Sequence, residues 1–402
     1  MRPAQFVVKE FSMRIGRVVR FTATFCLVVL AAASAHAQAV PQYKPVAPWP
    51  KPLPNNWMLA NAPAMAVDKN DHIWIANRPR QLFPDDAAGA QTPPFAPCCV
   101  PAPSIIEFDA EGNVLKSFGG PNYLPDWPTM EHGLFIDGEG NFWLGGNYQG
   151  GNGNGLTAPI PKPKDLTLGD RQELKIDPTG TKVLLEIGHP SAAPMNNQDT
   201  SILGAPAEVF VDDAAHEVYI ADGYLNRRVV VYDSNTGAFK RGWGAYGMPL
   251  SEISNGRAPA HDPGGAPDKQ FRGTMNSVDI SVDGLVYIAD RGGDRIQIFT
   301  KEGKFVKEFM ISPKTTDGSG TVWSTMFSRD PKQKFLYVAD GTNGMIRILT
   351  REDGMQVGTV GHKGHMVGEF DSCERMGLDS KGNLYVTEVN HNTRLQKFAP
   401  VK

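Results

Sequence analysis

The chain has 402 residues, a formal net charge of −3, and 42 glycines and 32 prolines. The lack of a basic excess argues against a nucleic-acid partner, and the glycine and proline content describes a globular protein rich in turns. After residue 40 no apolar run is long enough to span a bilayer, so no stable membrane span is expected there.

In chain order the first element is a leader. Arg14, Arg17 and Arg20 precede an apolar stretch from Phe21 to Ala33, and Ala35-His36-Ala37 supplies the small-x-small pattern of a signal peptidase site. Residues 1–37 therefore read as a signal peptide, with Met13 as a second candidate start, and the mature chain is expected to be exported to the periplasm or beyond. An uncleaved anchor would need a longer apolar segment. Cleavage removes Cys26 and leaves Cys98, Cys99 and Cys373. Three cysteines in an oxidising compartment predict one disulfide and one free thiol, with Cys373 bridging to Cys98 or Cys99 as the favoured pairing and a strained bond between adjacent Cys98 and Cys99 as the alternative.

Residues 38–402 read as one domain built on a repeated pentapeptide: IWIAN at Ile73, FWLGG at Phe142, VYIAD at Val218 and Val286, LYVAD at Leu336 and LYVTE at Leu384. Around the third copy the chain reads EVFVDD, EVYIAD, RVVVYD and AFKRGWG, which is four short strands joined by tight turns. One four-stranded unit cannot bury both of its faces, so units of this kind stack, and radial stacking gives a β-propeller. The aromatic anchors Trp74, Trp143, Tyr219, Tyr287, Tyr337 and Tyr385 predict an all-β fold of six blades. Residues 79 to 103, 146 to 170 and 245 to 272 are rich in proline and glycine and read as insertions. The last copy stops one strand short after Phe398, and Tyr43 to Leu59 is placed to supply that strand and close the ring.

Chain order also sorts residues between two faces. Arg78, Asn147, Tyr224, Arg291, Asn343 and His391 follow the anchors, whereas His132, Asn276 and Glu374 open first strands. All nine are expected at one mouth of the central channel, where converging polar groups suit a small molecule or peptide. His72 and His216 fall in turns on the opposite face.

On these residues the chain resembles NHL-type six-bladed propellers, and among them the peptidyl-α-hydroxyglycine α-amidating lyases. The resemblance is carried by MEHGLFIDGEGNFWLGG from Met130, VYIADGYLNRRVVVY from Val218 and VYIADRGGDRIQIF from Val286. It implies an enzyme with a zinc held by three histidines, releasing a peptide amide and glyoxylate. His132 falls on one ligand position, Tyr224 on the catalytic tyrosine, and Arg78 and Arg291 on active-site arginines. The other two ligand positions hold Asn276 and Glu374, and Arg375 stands where the resemblance implies an acidic residue beside a structural calcium. His132, Glu374 and Asn276 are thus the candidate metal set, with His391 as a replacement ligand and His261, His362 and His365 as further imidazoles. An oxygen-rich set leans from zinc toward calcium or manganese. Two other readings stand beside the lyase: a metal-dependent, lactonase-like hydrolase using Glu374 and Asn276, and a non-catalytic propeller that binds a ligand or a protein partner.

Overall fold

A computed structural model describes residues 39 to 401, apart from 154, 158 and 257. The leader expected at 1–37 lies outside the described residues.

The described chain forms six four-stranded antiparallel sheets and one two-stranded pairing, with 3-10 turns as its helical elements. Blade one comprises Ala64–Val67, Ile73–Ala76, Ile105–Phe108 and Val114–Phe118; blade two comprises Glu131–Ile136, Phe142–Gly146, Gln172–Ile176 and Val183–Gly188. Blade three runs from Glu208–Asp212 to Phe239–Trp243, blade four from Met275–Ile280 to Phe305–Met310, and blade five from Ser324–Phe327 to Gln356–Val360. Blade six takes Cys373–Leu378, Leu384–Glu388 and Leu395–Pro400 from the end of the chain. Its fourth strand is Tyr43–Val46, antiparallel to Leu395–Pro400 with Tyr43 opposite Pro400. Each first strand lies beside the first strands of both neighbouring blades, blade six beside blade one included, so the ring is closed. No helix among the described residues is long and apolar enough to cross a membrane.

The pentapeptide explains the packing. Its second residue, the aromatic anchor, lies between its own blade and the next: Trp74 between blades one and two, Tyr219 between three and four, and Tyr385 between six and one. All six anchors are buried, and truncating one to alanine is worth about 3–5 kcal/mol. In three of them the polar atom is satisfied by the preceding turn, where Asp68, Asp137 and Asp379 accept from Trp74, Trp143 and Tyr385 at 3.1 Å. The fifth residue has a different task. Asp222, Asp290 and Asp340 each accept Nε–H of an arginine at or near the start of the third strand, Arg228, Arg295 and Arg347, at 2.8 Å, and Glu388 does the same with Arg394 at 2.5 Å. Four blades are thereby stapled at the mouth end of their second and third strands.

Two expectations change. Of the segment Tyr43 to Leu59, only Tyr43–Val46 joins blade six. Pro48 and Pro50 then end the ladder, and Trp49 packs on Tyr385 with ring centroids 4.9 Å apart. The bridge from Cys373 to Cys98 or Cys99 is not formed. Cys373 is buried in the core between blades five and six, whereas Cys98 and Cys99 lie in the blade-one insertion with their sulfurs against each other.

Candidate active site

Three of the six first strands are bulged, and they alternate around the ring. In blade two the register slips between Glu131 and Leu134, in blade four between Met275 and Ser277, and in blade six between Cys373 and Met376. First strands of blades one, three and five pair with their neighbours without a slip. A bulge adds a residue and re-aims its side chain; here the extra residues include His132, Asn276 and Glu374, and their side chains meet.

His132 is 1 % exposed, with Nδ1 2.7 Å from the carbonyl oxygen of Ala207 in the approach to blade three. A carbonyl only accepts, so Nδ1 carries the proton and Nε2 is left with a lone pair. Gly133 permits this contact, since a Cβ there would stand 2.8 Å from the same Ala207 oxygen. Burial holds the imidazole pKa well below its usual range, and the guanidinium groups of Arg78 and Arg375 push it down further. His132 is therefore neutral.

The Tyr224 hydroxyl sits 2.8 Å from His132 Nε2 and 3.2 Å from Asn276 Oδ1. Its single hydrogen goes to Nε2, the shorter contact, with Asn276 Oδ1 at the longer distance, and burial, with Glu374 nearby, raises its pKa, so it stays a phenol. Asn276 spends its amide hydrogens on the Trp323 carbonyl at 2.7 Å and on Glu374 Oε1 at 2.6 Å. Glu374 Oε1 is also 3.7 Å from His132 Nε2. Four side chains from blades two, three, four and six thus form one contiguous polar set.

Arginines surround that set. Arg78 is buried, with Nε on the Glu131 carbonyl at 2.5 Å and Nη2 on Asn147 Oδ1 at 3.0 Å. Arg291 is half-buried, stacks 3.6 Å above the Trp323 ring, and uses Nε on the Ser319 carbonyl at 2.7 Å. Arg375 follows Glu374 and gives Nη2 to the Asn276 carbonyl at 2.8 Å. Asn343 and His391 stand apart from the set. Asn343 holds Asp340 in its own turn, and His391, with an 82 % exposed side chain, pairs with Asp371 at 3.1 Å. His261 lies 3.3 Å from Asp294, and His362 and His365 are exposed.

The donor set at the mouth does not fit a divalent cation. It offers one imidazole, one carboxylate and one amide oxygen, the Tyr224 hydroxyl occupies the imidazole lone pair, and three guanidinium groups face it. Among the described residues the group with metal-ligating spacing is elsewhere: Asp68, His72 and Glu107 in blade one, with ligand atoms within 4.8 Å of one another. His72 Nδ1 is 2.7 Å from Glu107 and 3.7 Å from Asp68. The sequence places His72 in a turn on the far face, and Asp68 also caps that turn through the His72 and Asn70 N–H groups.

Residues that chain order did not assign also line the axis. Below the mouth lie Glu208, Asp279 and Thr325, each on a first strand. Their signal is a polar residue in the alternation of EVFVD and SVDI, which is visible only once the channel-facing phase is known.

No family model matches the chain. It is 28 % identical over 242 residues to peptidyl-glycine alpha-amidating monooxygenase B of Xenopus laevis, a stretch covering 60 % of this chain and 22 % of that protein. It is 24 % identical over 246 residues to the probable peptidyl-alpha-hydroxyglycine alpha-amidating lyase of Caenorhabditis elegans, covering 60 % and 56 % of the two chains. It is 26 % identical over 310 residues to NHL repeat-containing protein 3 of Mus musculus, covering 74 % and 73 %. The chain therefore spans about a fifth of the length of the monooxygenase it matches. By its blades, its repeats and these likenesses, it is a six-bladed propeller that resembles NHL-repeat proteins and the amidating lyases.

Proposed function

We propose that the protein is an exported lyase that cleaves the C–N bond of a small α-hydroxyglycine-like substrate at the mouth of its channel. The observation that carries this reading is the Tyr224 hydroxyl 2.8 Å from a His132 nitrogen whose tautomer is set by Ala207. Export rests on the leader at residues 1–37, and N-terminal sequencing of protein from the extracytoplasmic fraction tests it.

The chemistry follows from the protonation states. Tyr224 enters as a phenol, so its role is to give a proton to the departing nitrogen. The Glu374 carboxylate, bonded to Asn276 on one side, is the group that takes the proton of the substrate hydroxyl. As the O–H bond breaks, a C=O bond forms and the C–N electron pair leaves onto nitrogen, which receives the Tyr224 proton. The products are an amide and an aldehyde acid, and return of the Glu374 proton to the phenolate resets the site. His132 holds Tyr224 in place by accepting its hydrogen bond, and stabilises the phenol orientation without being charged. Arg291, with only Nε engaged, and Arg78 behind it supply a positive field for the substrate carboxylate. No step is routed through a metal, because the donor set described above does not fit one.

The test uses an N-acyl-α-hydroxyglycine as substrate, with glyoxylate as the readout and chelator present throughout. The expected result is turnover by the wild type and a loss of about 100-fold or more in kcat for Tyr224→Phe, with KM little changed. Undiminished turnover by that variant would sink the role of Tyr224. A wild type that binds the substrate and releases no glyoxylate would instead support the second reading, a non-catalytic binding propeller. That reading is favoured by one observation: Asn276 already gives an N–H to Glu374 Oε1 at 2.6 Å, so these two positions are paired with each other.

A further inference from the structure

The channel continues beneath the mouth. A cavity of about 590 Å³ opens on the opposite face, between the turns at Asp68 and Asp137, and Arg375 lines it together with Glu208, Asp279 and Thr325. We propose that this cavity is a second ligand site, for an apolar monocarboxylate whose head group is received by Arg375 and whose chain lies against the first strands. The inference is separate from the lyase reading, since none of the groups it uses is assigned to proton transfer, although Arg375 also borders the mouth set through the Asn276 carbonyl.

Three observations carry it. The first is that Arg375 is 3 % exposed and incompletely satisfied. A guanidinium has five N–H groups, yet only Nη2 makes a directed hydrogen bond, to the Asn276 carbonyl. Nε has no partner among the described residues, and Nη1 lies 2.8 Å from Glu208 Oε2 without an N–H aimed at that oxygen. A buried donor left in this state costs about 1–3 kcal/mol, which a ligand oxygen would recover.

The second observation is that the neighbouring carboxylates are poor partners for that charge. Burial pushes Glu208 up to about 8 against the pull of Arg375, and no N–H of Nη1 is aimed at its Oε2. Asp279 is pushed up to about 6 and is engaged by the Thr325 hydroxyl at 2.5 Å. The third is the wall. Met65, Met326 and Met376, from blades one, five and six, line the cavity, and thioether side chains conform to apolar ligands of varied shape. At the rim, Asp68 and Asp137 are spent on N–H groups of their own turns. Asp213, also in the lining, accepts the Gly138 N–H, and Lys69 is the lining's second cation, leaving Arg375 as the buried one; the rim carboxylates disfavour a polyanion, which restricts the class to a single carboxylate.

The probe is octanoate, added to the purified chain, with octylammonium as the control and calorimetry as the readout. Octanoate is expected to bind saturably at one site and to raise the melting temperature, and octylammonium to do neither. Arg375→Met is expected to weaken octanoate at least tenfold, the loss of a charge-assisted bond. Because that variant removes a buried group, Met326→Trp, which fills the cavity and keeps Arg375, provides a second arm and is expected to abolish binding. Tyr224→Phe, at the far mouth, is expected to keep octanoate affinity within about twofold. Absence of octanoate binding, equal binding of octylammonium, or octanoate binding that survives Met326→Trp would each overturn the proposal.

Discussion

Removing the carboxylate of Asp222 tests whether the repeat's fifth residue carries the fold and the mouth together. Asp222 and Arg228 are both fully buried, and Asp222 Oδ2 accepts Arg228 Nε–H at 2.8 Å and Asn226 Nδ2–H at 2.8 Å, while Oδ1 accepts the Gly204 N–H at 2.5 Å. Arg228 also reaches the carbonyls of Asn197, Asp199 and Ile202. In Asp222→Ala the guanidinium keeps those three carbonyls and loses its counter-ion. An uncompensated buried charge costs about 3–5 kcal/mol. The comparison is Asp212→Ala, which breaks the pair with Lys301, whose side chain is 35 % exposed; that loss is expected at under about 1 kcal/mol.

The same substitution should reach the mouth. Tyr224 lies between Asp222 and Asn226, and its loop is held by Asp222 on Gly204 and Asn226 and by the Leu225 N–H on the Gly204 carbonyl at 2.8 Å. Gly223 allows the loop to approach blade four, because a Cβ would stand 2.3 Å from the Met275 oxygen. Urea denaturation of the wild type, Asp222→Ala, Asp212→Ala and the double variant Asp222→Leu with Arg228→Met measures the effect. The double variant is expected to recover at least half of the single loss, since it removes the stranded charge. A cost for Asp222→Ala no larger than that for Asp212→Ala, or no recovery in the double variant, would refute the reasoning.

Glu208 provides a pH test of the axis. Its folded pKa of about 8 stands above the ordinary 4.5, so the unfolded chain ionises first, and stability that is complete below pH 4.5 is lost as pH rises toward 8. The 3.5-unit gap corresponds to an upper bound on the order of 5 kcal/mol, and Glu208→Gln should flatten the fall in Tm between pH 5.5 and 8.5; an unchanged slope would show that Glu208 is not its source. Closure gives another test. A chain beginning at Pro48 lacks Tyr43–Val46 and the Tyr43 hydroxyl bond to Tyr337 at 2.9 Å, leaving Leu395–Pro400 as an open edge. It is expected to melt lower and to self-associate on a sizing column, and a monomer with wild-type Tm would show that the fourth strand is dispensable.

What was legible in the sequence was whatever repeats. The anchors recur because every interface between blades needs a large buried ring, and Trp74 through Tyr385 fix both the number of blades and the phase of each. Phase alone places Tyr224 beyond its anchor and His132, Asn276 and Glu374 at first-strand openings, and these four are in contact. Residues whose direction depends on more than phase were not legible. His391 follows its anchor as Tyr224 does, but Asp371 draws it outward. The bulges escape an alternation argument because one extra residue inverts the pattern for a single step, and that step is what turns both Glu374 and Arg375 to the axis. Cysteine pairing failed for a related reason: Cys373 opens a bulged strand with its sulfur in the core, out of reach of a surface insertion.

The three bulged positions lie on fixed backbone, so the character of the mouth depends on which side chains occupy them and on the charges beside them. With His132, Asn276 and Glu374 at these positions and Arg375 next to Glu374, the polar set contains one carboxylate, with Arg78, Arg291 and Arg375 around it. A divalent ion set 6 Å from a guanidinium is opposed by about 5–6 kcal/mol at an effective dielectric of 20, and three such groups outweigh what a single carboxylate returns. The sign reverses for an anion. On the proposed reading, the field that adds to burial in holding His132 neutral would attract a substrate carboxylate and stabilise negative charge developing on the Tyr224 oxygen once its proton has moved. On the same reading, a site of this composition would handle an anionic substrate by hydrogen bonds and proton transfer, with Tyr224, His132 and the arginines in the roles the resemblance implies and Asn276 and Glu374 in a different one.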